Sequence, residues 1–211
     1  MEITNTEVFN FEGSFRGLRN PMESHIKSDS CWDGEYYILG EKDLELAYKL
    51  VKAGSEHRKF LRQIIVSIDM TLPLYIWKEM DTYKVGVTSN SYSTMHKLSS
   101  TPITFDCFEW DDFDPDELEG REITLGETWI KLIADLESLR VLYNITKNKA
   151  IWKELIRLLP ESWLQTRTLS LDYENLLSIY YQRKNHKLSE WKQITKWIET
   201  LPYTQKLFGI G

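Results

Sequence analysis

The strand-then-helix pattern of residues 62–80 is the feature that most constrains the fold. The segment RQIIVSIDMTL, residues 62–72, combines β-branched residues with apolar residues at alternate positions, which is typical of a strand. Pro73 follows and begins the apolar aromatic run PLYIWKEM. Because proline is favoured in the first turn of a helix, the sequence predicts a β-strand that passes directly into an α-helix.

Helical spacing recurs on both sides of this unit. Before it, Leu46, Ala47, Leu50 and Val51 repeat at helical intervals and Gly54 follows, which predicts a helix that ends at this glycine. Further helical patterns follow residue 122: Ile123 to Tyr143, AIWKELIRLL before Pro160, LDYENLLSIYYQR, and SEWKQITKWIETL before Pro202. The C-terminal half is therefore predicted to be mostly helical.

The first 40 residues mix turn-forming residues with aromatic residues. In particular, FRGLRNPMESHIKSDSCWDG, residues 15–34, is predicted to be loop. No internal repeat or flexible linker separates the two halves of the chain. We predict a single α+β domain over residues 1–211, with a mixed sheet and a mostly helical C-terminal half.

Composition and charge exclude several classes of protein. The net charge is -6 and the sequence pI is near 5.4, which does not suit general binding to nucleic-acid phosphates. The two cysteines, Cys31 and Cys107, lie far apart and predict neither a disulfide framework nor a metal site. No apolar run is long enough to span a membrane, and no signal peptide is evident, so we expect a soluble, cytoplasmic protein.

Acidic residues are concentrated in one segment, about residues 104–122. Its carboxylates face only Arg121 as a countercharge, and they show no spacing typical of cation ligands. We predict a solvated loop; its acidic residues are Asp106, Glu109, Asp111, Asp112, Asp114, Asp116, Glu117, Glu119 and Glu122.

Three polar clusters are candidates for chemistry. The stretch EMDTYKVGVTSNSYSTMHKL, residues 79–98, offers small donors and an ammonium that could surround an anion. RKNHK, residues 183–187, lies between two predicted helices, and RNPMESHIKSDS, residues 19–30, lies in the N-terminal loop. For each cluster the alternative is ordinary solvated surface or a helix end whose cations meet the last carbonyl groups. No glycine-rich phosphate loop and no G-x-S-x-G elbow is present.

The order of these segments resembles that of the flavin-dependent thymidylate synthases. In that family an R-A-A-R-V-S loop, a helix ending in H-G-H, a strand and an apolar helix precede the signature R-H-R-x-x-S-x-N-E-x-S-x-R-Y. The similar segments here are LRNPMES, KAGSEH, RQIIVSIDM, PLYIWKEM and, at the signature, TYKVGVTSNSYSTMH.

The C-terminal half resembles the family more closely. An L-P dipeptide, then N-x-R-S-L-x-x-F-x-x-L-R and a histidine-containing turn, is similar to LLPESWLQTRTLSLDYENLLSIYYQRKNHKLSEW. Asp172 stands at the start of this motif and Arg183 at its final Arg, while His186 and Glu190 lie near the family's His and Glu. The resemblance covers roughly residues 15–202.

The resemblance implies a homotetramer that binds the pyrimidine nucleotide dUMP and FAD, and that methylates dUMP to dTMP with methylenetetrahydrofolate and NADPH. Its implied substrate-binding residues are Lys84, Asn90, Ser93, His96 and Arg183. The positions that correspond to cofactor contacts are Ser55, Thr82, Tyr83, Lys84, Asp172 and His186.

Several cations of the family are replaced in this chain. Thr82 and Tyr83 stand at the first two positions of R-H-R, and Asp172 and Glu174 stand at the Asn and Arg of N-x-R. A carboxylate repels a diphosphate that a guanidinium would bind. The cations that could compensate are Arg19, Lys27, Arg157 and Arg167. The alternative function is an inactive scaffold for nucleotide sensing or protein interaction, of phage or mobile-element origin.

Overall fold

The computed structural model describes residues 1–93, 97–110 and 125–210. Within them the strands are β1 Glu2–Phe9, β2 Cys31–Trp32, β3 Tyr37–Ile38, β4 Ile65–Pro73, β5 Thr88–Ser91 and β6 Leu164–Asp172. The α-helices are α1 Phe11–Arg19, α2 Glu41–Ala53, α3 Leu74–Met80, α4 Leu125–Thr146, α5 Lys149–Leu158, α6 Tyr173–Arg183, α7 Ser189–Thr200 and α8 Thr204–Phe208. Short 3₁₀ helices cover Asn20–Met22, His25–Lys27, Lys59–Gln63 and Phe105–Cys107.

Four strands form one sheet in the order β1-β4-β6-β5, and β2 and β3 form a separate antiparallel hairpin. The predicted strand-then-helix unit is confirmed as β4 and α3. Alternate residues of β4 are buried, as its sequence pattern requires: Val66, Ile68, Met70 and Leu72. Pro73 ends the strand and caps the helix instead of lying in its first turn. The α+β fold class is confirmed.

The predicted helices are also present. The pattern before Gly54 forms α2, and the patterns after residue 122 form α4, α5, α6 and α7. α6 begins later than predicted, because Leu171 and Asp172 still belong to β6. Strand β6 itself was not predicted: in its first half, residues 164–167, every residue is half-buried, which hides the period-2 pattern.

The prediction of loop over residues 15–34 is wrong in part. The second half of α1, two 3₁₀ turns and β2 lie there, and β1 and β3 lie on either side of this stretch. α1 buries Phe15 and Leu18 although Gly13 and Gly17 lower its helix propensity, and Phe15 contacts the Phe60 ring edge-on at 5.8 Å. A Cβ at Gly17 would lie 2.8 Å from the Gln63 side chain, so the glycine allows close packing. Tertiary packing therefore overrides local propensity here.

The described chain divides into two compact units. Unit 1 comprises Met1–Glu2, Met70–Asp81 and Asn90–Arg167, and unit 2 comprises Ile3–Asp69, Thr82–Ser89 and Thr168–Gly211. A core cluster in unit 1 contains Leu98, Ile103, Phe108, Ile133, Leu136 and Leu155. Buried residues of unit 2 include Phe15, Leu61, Ile64, Tyr173, Leu176, Trp191, Ile194 and Leu207. The single domain over residues 1–211 stays a prediction.

The acidic segment is described only in part. Of the acidic residues, Asp106 lies in a 3₁₀ turn and Glu109 accepts a hydrogen bond from the amino group of Met1, while residues 111–122 lie outside the described residues. Among the helices that the structure describes, none is long and apolar enough to cross a bilayer.

Candidate functional site

The guanidinium group of Arg183, at the end of α6 in unit 2, is held by two aromatic rings. Its Cζ lies 4.6 Å from the centre of the Trp191 ring and 5.6 Å from that of Tyr83. Its Nε donates a hydrogen bond of 2.8 Å to the Tyr83 hydroxyl, which in turn donates to Gln182 Oε1 at 3.0 Å. The contacts fix the plane of the guanidinium, the group that binds phosphate and carbonyl oxygens in pairs.

His186 joins the same cluster. Its ring meets the Trp191 ring edge-on, with the centroids 6.1 Å apart, and its Nδ1 accepts a hydrogen bond from the backbone N–H of Leu188. An accepting Nδ1 places the proton of the neutral ring on Nε2. Arg183, Tyr83 and His186, all predicted from sequence, are thus brought together around the buried Trp191 of α7, which was not predicted.

The segment 82–87, the first part of the signature stretch, lies beside α6. The Asn175 side chain donates to the Val85 carbonyl at 2.9 Å. Gly86 has a left-handed φ of 77°, and a Cβ there would lie 3.3 Å from the Asp172 carboxylate. Thr82 and Lys84 are exposed, whereas Tyr83 is half-buried and accepts the hydrogen bond from Arg183 Nε.

The start of α6 carries two carboxylates close together. Asp172 is the N-cap: its side chain accepts from the Asn175 backbone N–H, and the Asn175 side chain accepts from the Asp172 N–H. Glu174 is only 9% exposed and pairs with Arg58 at 3.1 Å and with Arg62. These two arginines were not predicted as site residues, because 116 and 112 residues separate them from Glu174.

The remaining predicted residues are dispersed. Ser55 lies in an exposed turn after α2, three residues before Arg58. Asn90 and Ser93 belong to unit 1, where Asn90 is exposed on β5 and Ser93 lines a small cavity of about 170 Å³ with Lys97. The predicted substrate residue His96 lies outside the described residues.

Three of the four cations expected to compensate for the replaced arginines have structural roles. Arg19 is buried against Asp43, and Arg157 pairs with Glu154 on the surface of α5. Arg167 pairs with Asp81 and lies over the Trp77 ring at 4.3 Å. Lys27 is exposed. The structure instead places Arg58 and Arg62 near the helix start where the carboxylates stand. No cluster of three potential metal ligands occurs in the described part of the chain.

The pKa of Asp172 predicts a pH-dependent effect of Asp172→Asn. Burial raises this pKa above its ordinary value, against the opposing hydrogen bonds of the Asn175 and Glu174 backbone. The folded state therefore holds the proton more tightly than the unfolded state, and stability falls as the pH rises through the raised pKa. Asparagine can still cap the helix but never ionises. We expect Asp172→Asn to raise the free energy of unfolding at pH 7.

Denaturant unfolding at pH 4 and pH 7 checks this expectation. The gain should shrink towards pH 4, where the wild-type carboxyl group takes up its proton. Asp172→Ala is the control, because it removes the cap as well as the charge, so its stability should lie about 1 kcal/mol below that of Asp172→Asn at both pH values. A lower stability of Asp172→Asn at pH 7 would contradict the assigned sign.

The order of the helices and strands defines the class: the chain has the fold of the flavin-dependent thymidylate synthases. It is similar to thymidylate synthase X from Helicobacter pylori in a crystal structure with FAD and dUMP, with a TM-score of 0.72 and 19% sequence identity over 99% of this chain and 97% of that chain. A second structure of the flavin-dependent enzyme from Helicobacter pylori, also complexed with FAD and dUMP, gives a TM-score of 0.70 and 18% identity over 99% and 98% of the two chains.

Comparison of the sequence itself, as distinct from the fold, gives no match. No protein-family model matches this chain, and no curated protein matches it. The sequence identity to the two solved structures is 19% and 18%, so the similarity to them is a similarity of fold. The fold that the segment order predicted is confirmed over nearly the whole chain.

Proposed function

We propose that this protein is a divergent relative of the flavin-dependent thymidylate synthases that binds the pyrimidine nucleotide dUMP through Arg183. The observation that carries the proposal is the guanidinium held between the Tyr83 and Trp191 rings. It is supported by the fold and by the position of Arg183 at the final Arg of the family motif, and the Helicobacter pylori enzyme of the same fold was crystallised with dUMP.

Arg183 is suited to an anionic, planar ligand. Its Nε is committed to the Tyr83 hydroxyl, which orients the terminal nitrogens as a pair. A paired set of N–H donors matches two phosphate oxygens, or a phosphate and a base carbonyl, better than an ammonium can. The family resemblance also implies Lys84, Asn90, Ser93 and His96 as substrate-binding residues, and we propose that none of them acts as a nucleophile.

The residues present also fit an anionic cofactor such as FAD. Arg58 and Arg62 face the single carboxylate of Glu174, so this group of three carries a net positive charge. Arg58 and Arg62 would hold the cofactor's diphosphate with Ser55 and His186 as further contacts. When bound, reduced FAD supplies the hydride, with methylenetetrahydrofolate as the methylene donor and NADPH as the reductant.

A specific observation favours a second candidate, a nucleotide-binding scaffold without catalysis. Glu174 already accepts hydrogen bonds from both Arg58 and Arg62, so a diphosphate would have to compete with a carboxylate that is part of the fold. In the related enzymes the resemblance places a guanidinium at this position. Such a scaffold would keep dUMP binding at Arg183 and the homotetramer that we propose for a cytoplasmic protein, but it would not bind flavin.

An absorbance spectrum and two titrations test the proposal. For the enzyme we expect the visible absorbance of a bound flavin in the purified protein or after adding FAD, together with a rise of melting temperature on adding dUMP. A dUMP shift without flavin binding identifies the scaffold. No response to either ligand overturns both.

A further inference from the structure

An aromatic cleft in unit 2 lies apart from the residues of the proposed nucleotide site. It is about 870 Å³ in volume and is formed by the end of β1, the start of α1, the β2–β3 hairpin and the segment 197–203. None of its lining residues contributes to the Arg183 cluster or to the Glu174 group. Its volume is within the range of small-molecule sites in proteins, about 300–1,000 Å³.

Aromatic side chains dominate the cleft, and several face solvent. Seven of the lining residues are aromatic, and Trp32 and Tyr36 of the hairpin are 57% and 62% exposed. Trp32 meets Tyr37 edge-on at 5.7 Å, and Phe11 meets Tyr203 in the same manner at 5.3 Å. Rings at right angles present both faces and edges to the cleft, and exposed rings in a concavity are typical of ligand sites.

The charged residues of the cleft are all acidic. Glu12, in the first turn of α1, and Glu35, in the hairpin turn, line it, and no lysine or arginine does. In the described part of the chain neither carboxylate forms a salt bridge. Glu35 interacts with the Tyr36 hydroxyl, and this hydrogen bond is the main reason that the pKa of Tyr36 is raised. Negative charge beside aromatic faces repels nucleotide phosphates and attracts cations.

The walls of the cleft are held in defined positions. The Asp33 carboxylate accepts hydrogen bonds from the backbone N–H groups of Glu35 and Tyr36, which fixes the hairpin turn. On the opposite wall Tyr203 has a left-handed φ of 62°, unusual for an aromatic residue, and its hydroxyl accepts from the Leu39 N–H at 3.3 Å. The cleft is therefore largely formed before a ligand arrives.

We propose that this cleft binds an organic cation, an ammonium group carried on an aromatic or apolar body. The rings of Trp32 and Trp197 take up the cation through their negative faces, and Glu12 and Glu35 supply the opposite charge. The apolar body contacts Phe9 and Ile38. This inference is independent of nucleotide binding, because it uses none of the same residues.

Binding of benzyltrimethylammonium tests the proposal, with benzyl alcohol and benzoate as neutral and anionic compounds of similar body. Titration followed by tryptophan fluorescence and by calorimetry should show binding of the cation, at least tenfold weaker binding of benzyl alcohol and none of benzoate. Raising the salt concentration should weaken binding of the cation only modestly, since part of the attraction comes from the rings.

Matched variants locate the site. Glu12→Gln and Glu35→Gln should each weaken cation binding about fivefold, and Trp32→Leu at least tenfold, whereas Glu45→Gln on the exposed face of α2 should leave it unchanged. The glutamine variants preserve the shape of the cleft, so they decide the matter if Trp32→Leu fails to fold. dUMP affinity should be the same in all four proteins.

Two results would overturn the inference. Equal affinity for the cation and benzyl alcohol would mean a merely apolar cleft. Absence of cation binding, together with a smaller oligomer in Trp32→Leu by light scattering, would mean that a second copy of the chain covers these residues.

Discussion

Arg183→Ala is expected to weaken binding of dUMP about 30- to 100-fold while leaving the fold intact. A hydrogen-bonded contact between a guanidinium and an anion contributes roughly 2–3 kcal/mol, and each 1.4 kcal/mol is about tenfold in affinity. Arg183 is half-buried at the end of α6, so the substitution shortens a partly exposed side chain and not one of the buried core. Isothermal titration with dUMP and circular dichroism measure the two effects.

Three further variants separate geometry from charge. Arg183→Lys keeps the charge but loses the planar paired donors, and should weaken binding about tenfold. Tyr83→Phe removes the hydroxyl that accepts from Arg183 Nε and should weaken binding severalfold. Lys187→Ala removes a neighbouring exposed charge and should change affinity little. Equal dUMP affinity of wild type and Arg183→Ala would reject the role of Arg183, whereas no dUMP binding by the wild type would reject the proposed function itself.

Sequence reasoning found the part of this cluster that depends on spacing along one helix. Arg183 and His186 stand at fixed distances from the start of α6, so their proximity follows from helical geometry and a short turn. Tyr83 was found through the order of segments. Trp191 was not found, because an apolar residue at helical spacing reads as core, which it also is. The contact of the Trp191 ring with the guanidinium therefore depends on the packing of α7 against α6.

The charges around Glu174 could not be predicted from sequence, for a different reason. The sequence predicts that the Glu174 carboxylate repels a diphosphate, and that other cations such as Arg19 and Arg167 compensate for it. The structure places Arg58 and Arg62 beside this carboxylate; they lie just before and within the 3₁₀ turn Lys59–Gln63, more than 110 residues away from Glu174 along the chain. Ion pairs between residues so far apart in the chain leave no periodic pattern in the sequence. The net charge around Glu174 could therefore not be predicted from residue spacing.

The fold was predictable where the spacing of apolar residues and the residues that begin or end an element indicate the same structure. β4 alternates over its full length and α3 follows a proline, so both were predicted correctly. α1 has two glycines among nine residues, and β5 consists of Thr, Ser and Asn, so local propensity opposes the structure in both. Their formation depends on neighbours such as Phe60, which packs against Phe15, and contacts of this kind are invisible in the sequence alone.

Asp43→Asn is expected to lower the free energy of unfolding at pH 7 by about 3–5 kcal/mol, the usual effect of breaking a buried ion pair. Asp43 is fully buried and Arg19 is 5% exposed. The carboxylate accepts hydrogen bonds from Arg19 Nε at 2.6 Å and from the hydroxyls of Ser28 and Ser30. Arg19 donates to Oδ1 and both hydroxyls donate to Oδ2, so an amide, which accepts at one end only, leaves either the guanidinium or the two hydroxyls without their acceptor, and it removes the charge opposite Arg19.

The same pair gives a pH signature opposite in sign to that of Asp172. Burial by itself raises the pKa of Asp43, but the hydroxyls of Ser28 and Ser30 and the Arg19 guanidinium outweigh it, and the net pKa is lowered. The stability from Asp43 is therefore complete above the unfolded-state pKa and is lost as the pH falls through the lower folded-state value. The difference between wild type and Asp43→Asn should then shrink in acid.

Denaturant unfolding across pH 3 to 7 measures both effects. Glu41→Gln serves as the control, because Glu41 pairs with Lys206 at the surface and its loss should change stability little. If Asp43→Asn were as stable as Glu41→Gln at pH 7, Arg19 would not be held by this pair and could serve the cofactor site, as the sequence first suggested. A large loss instead means that Arg19 is held in the fold by Asp43, which leaves Arg58 and Arg62 as the arginines that we propose for a flavin phosphate.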